Sequence, residues 1–600
     1  MTNRTLVIGL DFGTTYSGVA YCDDERGKEG ASAIQLITSW PGLGQWNNEK
    51  VPSRISYGPP PKHEIIWGNL IKPTAKAKVH ALMKLKLDER LKKSKQLKML
   101  LAFLTSNFDE LDLDDSGSED EEDGPPDYPG KDAVDIVADY LREIRKHVWK
   151  ELTETYGELL FGMLSKELVV TVPAVWSERA KDQTLKAVVK AKFDAEKISM
   201  VTEPEAAAIY TLKNMKEGAG SDEIRVGDRF VLCDAGGGTV DLISYKVTQT
   251  SPTFKIEEAA VGSGDKCGAT YVEKEFLAWL EKWIGHEAYR NIPTFKTRHG
   301  SPLINNFEIV KAHFSGDEDD IEVTLPKECG IDDNEEKNIE DRVLKITNTQ
   351  MKGFFDPCVN RTLELIDGQV ADMLKSGQAK PKMVLVVGGF GRNEYLFRRI
   401  TEYCKERGIA ARKPHYPWSA VARGAVCRGL EGPQAGLVQV RLARKHYGTP
   451  TSKQFNPRIH QAEDMYICEF SGTKFAKGQM TWMIGKGERL PEKFPKKASI
   501  ECCSNFRKDD RSFQAVLVGC DEDDAPQRYA EKSAYNICKV TADLSGVPEH
   551  KFTKARTGLS NEEYYIAEFT LEATFSGGMV DWKFIFDGKE YASVSVSYDK

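Results

Sequence analysis

The sequence predicts an α/β domain assembled from two related halves, followed by a smaller β-rich domain. Three observations carry this. An apolar strand that ends on an acid and turns through glycine and threonine occurs twice, as LVIGLDFGTTYSGVAY (6–21) and FVLCDAGGGTVDLISYKV (230–247). Short apolar runs alternate with helical patterns as far as about residue 430, the rhythm of a mixed sheet covered by helices. Beyond that point the texture is strand and turn. GMVDWKFIFDGKEYASVSVSYD alternates Trp582, Phe584 and Phe586, turns at Asp587-Gly588 and resumes with Val594, Val596 and Tyr598, which reads as a hairpin. A chain of 600 residues is too long for one ordinary core. A boundary near LEGPQAG (430–436) gives an expected division into 1–435 and 436–600.

Each element has a local reason. Leu6–Leu10 is strand-like, and Asp11 at its end is poorly placed for a core. Gly13 permits a tight turn, and Thr14 and Thr15 offer hydroxyls and N–H groups at its tip. HALMKLKLDERLKKSKQLKML (80–100) is basic with helical propensity. DELDLDDSGSEDEEDG (109–124) holds almost nothing apolar, so about 105–130 is expected to be a disordered loop, with Ser116 and Ser118 on a solvated surface. Val134, Val137, Leu141, Ile144, Val148 and Leu152 follow helical spacing. LVVTVP (168–173) is a strand leading to a helix capped by Ser177. ISMVTEPEAAAIYTL (198–212) repeats that layout, with Pro204 suited to a first helical turn.

Composition narrows the function classes. The formal charge of −8 argues against a nucleic-acid partner, which would leave a basic footprint. No apolar run is long enough to span a bilayer, and MTNRTLVIGL lacks the features of a secretory signal. The twelve cysteines are scattered without a C-x-x-C pair, which reads as reduced core thiols. A cytoplasmic location is the expectation, with the nucleus as a secondary alternative, and a monomer is the default.

The two loops suggest halves that face each other across a cleft, each cradling phosphates through backbone N–H groups. Asp11 and Asp234 could then hold Mg²⁺ through water, because that ion dehydrates reluctantly. Either loop alone is as readily a plain hairpin turn; the pair is what carries weight.

GLDFGTTYSGVAY and VLCDAGGGTVDLISY resemble the two phosphate loops of the actin, hexokinase and heat-shock ATPase superfamily. Within it the chain is most similar to the seventy-kilodalton heat-shock (DnaK-like) chaperones. VVTVPAVWSERAKDQT (169–184) resembles their first connecting segment, and VTEPEAAAIYTL their Asn-Glu-Pro-x-Ala-Ala-Ala signature. VLVVGGFGRNEYL (384–396) resembles their adenosine loop and SAVARGAV (419–426) their second connecting helix. The resemblance implies an actin-like ATPase fold, two lobes around a nucleotide cleft, with ATP or ADP and Mg²⁺ as cofactors. It implies Asp11 and Asp234 as carboxylates near the metal, and Gly13, Thr14, Thr15, Tyr16, Gly236, Gly237, Gly238 and Thr239 as the phosphate cradle. Glu203 would orient the attacking water, although an acid in a first helical turn is also well placed structurally. A cation should touch the phosphates, with Lys84 first and Lys86 second. At the adenosine end it implies Gly388 and Gly389 beside the nucleoside, Arg392 flat against the base, and Glu308 and Lys311 of FEIVKAHFS (307–315) closing over base and ribose.

Departures are as informative. Ala312 stands where the family usually has Arg, Phe390 where a small residue is usual, and Trp418-Ser419 where an acid is expected. GLVQVRLARKHYGTP (436–450) is basic and lacks the family's leucine-rich acidic linker. No lysine- and glutamate-rich helical tail follows the β segment, so a lid is not expected. The resemblance is to a divergent branch that keeps the ATPase. The expected function is a slow, Mg²⁺-dependent, chaperone-like ATPase whose nucleotide state is coupled to a C-terminal domain. That domain would be a reduced substrate-binding domain taking unfolded polypeptide clients or co-chaperones. The alternatives are a non-catalytic ATP-binding scaffold and a small-molecule kinase of the same superfamily. The kinase would need a carboxylate base facing a sugar pocket, and none is evident.

Overall fold

The computed structural model describes residues 4–58, 64–72, 79–88, 130–174, 176–193, 195, 197–217, 224–251, 253–297, 300–318, 321–432, 437–493, 495–507, 510–557, 562–576, 579–591 and 594–598. The acidic segment expected as a loop lies, except for Gly130, outside them. The chain divides into two compact units, Met1–Trp176 with Ala180–Leu437, and Ser177–Arg179 with Val438–Lys600.

The larger unit contains two sheets of one design. In the first, β1 (Thr5–Asp11) and β2 (Tyr16–Asp23) form an antiparallel hairpin with Gly9 opposite Ala20. Next, β3 (Ser165–Val172) lies parallel to β1 and β4 (Lys197–Thr202) parallel to β3. The second sheet repeats the scheme. Its hairpin is β5 (Arg229–Ala235) with β6 (Val240–Gln249), and β7 (Lys255–Asp265) lies antiparallel beside β6. On the other side, β8 (Met383–Val387) runs parallel to β5 and β9 (Ala410–Arg412) parallel to β8. The short strand Gln35–Leu36 takes the place of β7 beside β2. The duplication read from two loops thus extends to strand order and direction.

Both hairpins put the acid at the same place. In β1 every residue after Thr5 is buried, so the strand reads as a continuous apolar run until Asp11. Asp11 and Asp234 each sit at or one residue before the end of the first hairpin strand, where the chain leaves its core. Each sheet has its own core. One gathers Leu6, Ile8, Leu10, Phe12, Tyr140, Val148, Leu168 and Val170. The other gathers Val231, Cys233, Val240, Phe276, Phe307, Phe355, Val384 and Val386.

The helix Ala133–Tyr156 buries Val137, Leu141, Ile144, Val148 and Leu152 on one stripe and is capped by Asp132, which accepts from the Asp135 N–H at 2.8 Å. It also buries Asp139, whose carboxylate accepts from the Tyr57 hydroxyl at 2.9 Å and from Lys131 and Arg142. Burial pushes this carboxyl up, but those three donors outweigh it and hold it below the usual aspartate range. Its contribution is therefore complete above the pH at which an unfolded aspartate titrates and is lost as pH falls through the folded value. Asp139→Asn should cost about 2 kcal/mol at neutral pH, read as a lower urea midpoint, and the deficit should shrink on acidification. A deficit constant with pH would show that packing, not the carboxylate charge, is what matters there.

The helices Glu203–Glu217 and Ala420–Glu431 cross at close range. A Cβ on Gly424 would lie 1.7 Å from the Ala206 carbonyl oxygen, so only glycine fits this crossing. The basic stretch is shorter in helix than its propensity suggests: only Met83–Leu87 forms a turn of 3₁₀ helix, with the rest beyond Asp88 outside the described residues.

The smaller unit is antiparallel throughout. One sheet runs in the order Met465–Ile467, Lys474–Ile484, His446–Gln454, Ser512–Cys520, Ala534–Asp543, Val594–Tyr598. The other pairs Lys496–Phe506, Glu563–Ser576, Met579–Phe586 and Lys589–Tyr591, with Thr553–Arg556 also on Glu563–Ser576. Tyr565, Ala567, Phe569, Leu571, Ala573 and Phe575 are buried at every second position, the period-2 signature of a half-buried strand. Phe569 meets Phe513 of the first sheet edge to face at 4.9 Å, so the sheets pack as a sandwich. One expectation is corrected. Asp587 and Gly588 do form a positive-φ turn, at 49° and 70°, but it closes onto Lys589–Tyr591. Val594–Tyr598 pairs instead with Ala534–Asp543 in the other sheet, since alternation marks a strand without naming its partner. Among the described residues after 437 there is no α-helix.

All twelve cysteines are free, nine of them buried. No helix among the described residues is long and apolar enough to cross a membrane.

Candidate functional site

The two hairpin loops meet at their tips. A Cβ on Gly237 would lie 2.3 Å from the Thr15 hydroxyl, so the glycine lets one loop lie directly against the other. Around this contact is a cavity of about 260 Å³, room for an extended solute and far more than a single ion or water needs. All the residues that the resemblance implies, Lys86 excepted, line it: Asp11, Gly13, Thr14, Thr15, Tyr16, Lys84, Glu203, Asp234, Gly236, Gly237, Gly238, Thr239, Glu308, Lys311, Gly388, Gly389 and Arg392. Lys86 does not line it.

One cluster in this cavity is ionic. Asp11 is fixed by two neighbours: Lys50 donates to Oδ2 at 2.6 Å and the Thr171 hydroxyl to Oδ1 at 3.3 Å. Lys84 is buried and ion-paired with Glu203, the first residue of its helix. The Thr239 hydroxyl donates to Asp241 at 2.8 Å. Burial and the charges of Glu203 and Asp241 push the Asp234 carboxyl up to about 8. Burial also pushes Glu203 up, against the pull of Lys84 and with the help of Asp11. Burial pulls the Lys50 ammonium down, but the charge and hydrogen bond of Asp11 outweigh it and raise it overall. Asp11, Glu203, Asp234 and Asp241 thus face Lys50 and Lys84, four carboxyl groups against two ammonium groups. That donor set fits a hard divalent cation. Among the described residues no three His, Cys, Asp or Glu side chains converge to ligate a metal directly.

The second cluster is aromatic and half polar. Trp418 meets Tyr16 edge to face at 5.6 Å, and the Arg392 guanidinium lies over the indole at 5.0 Å. Arg392 therefore already has an aromatic partner within the protein, where the sequence suggested a surface free for a base. On the helix Pro302–His313, Lys311 is ion-paired with Glu273, and burial's downward pull on its ammonium is outweighed by Glu273 and Glu308. Phe390 is buried and packs against Phe355 at 6.1 Å.

Sequence reasoning missed Lys50, Thr171, Asp241, Glu273 and Trp418 as members of the site. Lys50 precedes Val51–Pro52, which pairs with Tyr16–Ser17, so strand pairing brings it to Asp11. Nothing local in NNEKVPSR announces that. Asp241 could have been found, as it follows the second loop at the same hairpin that carries Asp234.

A family model described as Hsp70 protein matches residues 130–434, just over half of the chain. The chain belongs to the Hsp70 family. The matched span holds Glu203, the second loop, Arg392 and Trp418, and the first loop with Tyr16 joins them through the shared cavity. Residues 441–595 match a family described as a domain of unknown function (DUF8568). The human heat shock 70 kDa protein 12B is 25% identical over 410 residues, 56% of this chain and 58% of that protein. The mouse heat shock 70 kDa protein 12A is 23% identical over 545 residues, 78% of this chain and 75% of that protein. Chaperone protein DnaK of Stenotrophomonas maltophilia (strain R551-3) is 24% identical over 434 residues, 70% of this chain and 62% of that protein. The chain thus spans little more than half the length of the first of these relatives, and the low identities mark it as a divergent member of the family.

Proposed function

We propose that this chain binds Mg²⁺·ATP in the cavity and hydrolyses it slowly by direct attack of water. We further propose that its nucleotide state governs binding of unfolded polypeptide by the C-terminal domain. The observation that carries the reading is the convergence of both loop tips with Asp11, Lys84, Glu203 and Asp234 on one cavity. Phosphoryl transfer asks a protein for positioning and charge neutralisation more than for covalent chemistry, and this is what the residues offer. Glu203 accepts the proton of the attacking water. Lys84, held beside it, faces the charge that grows on the transferred phosphoryl group. Backbone N–H groups of the glycine-rich tips cradle the phosphate oxygens, with the Thr14 and Thr15 hydroxyls as added donors. Asp11 and Asp234 would hold Mg²⁺ through its water shell, and the ion would supply charge neutralisation at the bound phosphates. A reducing, cytoplasmic compartment belongs to the same proposal, supported by the twelve free thiols.

Asp11→Asn should raise the Mg²⁺ concentration for half-maximal hydrolysis about 10–100-fold. A Mg²⁺ titration that overlays wild type would remove Asp11 from the metal's surroundings. Coupling is tested by single-turnover hydrolysis with and without an unfolded peptide. Acceleration by the peptide supports a client-binding C-terminal domain. Indifference to it would leave an ATPase whose C-terminal domain serves another partner, and ATP binding without turnover would leave a nucleotide-dependent scaffold.

A further inference from the structure

The aromatic cluster has a feature that the nucleotide reading does not use. Trp418 is half-buried, lines the cavity, and directly precedes the helix Ala420–Glu431 whose N-cap is the buried Ser419. Its position is held from several sides. Arg392 lies over the ring, Tyr16 meets it edge to face, and the Pro417 carbonyl accepts from the Gly388 N–H at 2.9 Å. Gly389 faces the indole directly, since a Cβ there would lie 2.9 Å from Nε1. The loop thus comes close enough to lock an indole in place at the cavity wall. Ala312, which also lines the cavity, adds no plane or charge of its own.

We propose that the Trp418 indole is the surface on which the bound nucleobase stacks, with Arg392 backing the indole rather than the base. The inference rests on the nucleotide reading of the same cavity. Its chemistry is general: every base presents a π-face, and an aromatic side chain held rigid at a cavity wall is a ready stacking surface. Arg392 then acts as a positioning residue, its charge spread over the indole by a cation–π contact. Stacking grows with ring area and reads no base edge, so purines should be favoured over pyrimidines while adenine and guanine are only weakly distinguished.

The test is calorimetric titration of the full chain, in Mg²⁺, with ADP and with inorganic pyrophosphate as a base-free probe. Trp418→Ala should weaken ADP about 10–100-fold and leave pyrophosphate unchanged, and Trp418→Phe should recover most of the ADP affinity. An equal loss for both ligands would make Trp418 a packing residue and overturn the inference. ADP binding to Trp418→Ala as tight as wild type, or tighter, would overturn it too and leave the nucleotide reading standing. Wild-type protein that binds pyrophosphate but shows no preference for ADP would overturn the inference, and binding of neither would overturn the nucleotide reading with it.

Discussion

Glu203→Gln slows single-turnover ATP hydrolysis by at least about 100-fold, the usual contribution of a positioned general base, and leaves ATP affinity near that of wild type. The geometry supplies the reason for both halves. Glu203 opens the helix Glu203–Glu217 and lines the cavity beside the two loop tips, so its carboxylate can hold a water without touching the base end of the site. Glutamine keeps the shape and loses the proton acceptor. It also releases the Lys84 ammonium, which is buried and paired with Glu203, so the charge available to bound phosphates rises rather than falls. Rapid-quench measurement of phosphate release at saturating protein, beside equilibrium binding of ATP, separates the two effects. Unchanged single-turnover rates would exclude Glu203 as the acceptor. A large loss of ATP binding would mean that the pair with Lys84 is needed to build the site.

The second large effect is on the scaffold. Gly424→Ala destabilises the larger unit by about 3 kcal/mol, at the upper end of the usual cost of overpacking. A Cβ there would lie 1.7 Å from the Ala206 carbonyl oxygen and 2.2 Å from its carbon, and backbone cannot step aside as a side chain can. The helices must separate, and both lead to the cavity: one begins with Glu203 and the other follows Trp418. Hydrolysis should therefore fall together with thermal stability. Gly368 is the control. It lies within the helix Asn348–Lys375 with nothing near its would-be Cβ, so Gly368→Ala should gain about 0.5–1 kcal/mol from helix propensity. A Gly424→Ala protein with wild-type thermal stability would show that this crossing is looser than its geometry indicates.

What could be read from the sequence was what repeats or what is local. Asp11 and Asp234 were legible because an acid that ends an apolar strand before a glycine-rich turn is costly unless something uses it. The helix over Ala133–Tyr156 was legible from one stripe of Val, Leu and Ile. Long-range pairing was not. Lys50 reaches Asp11 only because Val51–Pro52 joins the edge of β2, and the alternation of Val594, Val596 and Tyr598 gave no sign that this strand crosses to the other sheet. Lys84 and Lys86 looked alike in a run of lysines, and the 3₁₀ turn Met83–Leu87 buries one of them against Glu203. Trp418 was visible as a departure from a family pattern, but its contact with Arg392, 26 positions earlier, depends on how the glycine loop folds back.

The most direct test is steady-state ATP hydrolysis by the purified full-length chain in Mg²⁺, repeated with the metal chelated and with Glu203→Gln. Slow phosphate release that requires Mg²⁺ and is lost in Glu203→Gln is the predicted result. Release that persists in the variant, or absence of release from a wild-type protein saturated with ATP, would contradict hydrolysis at this cavity.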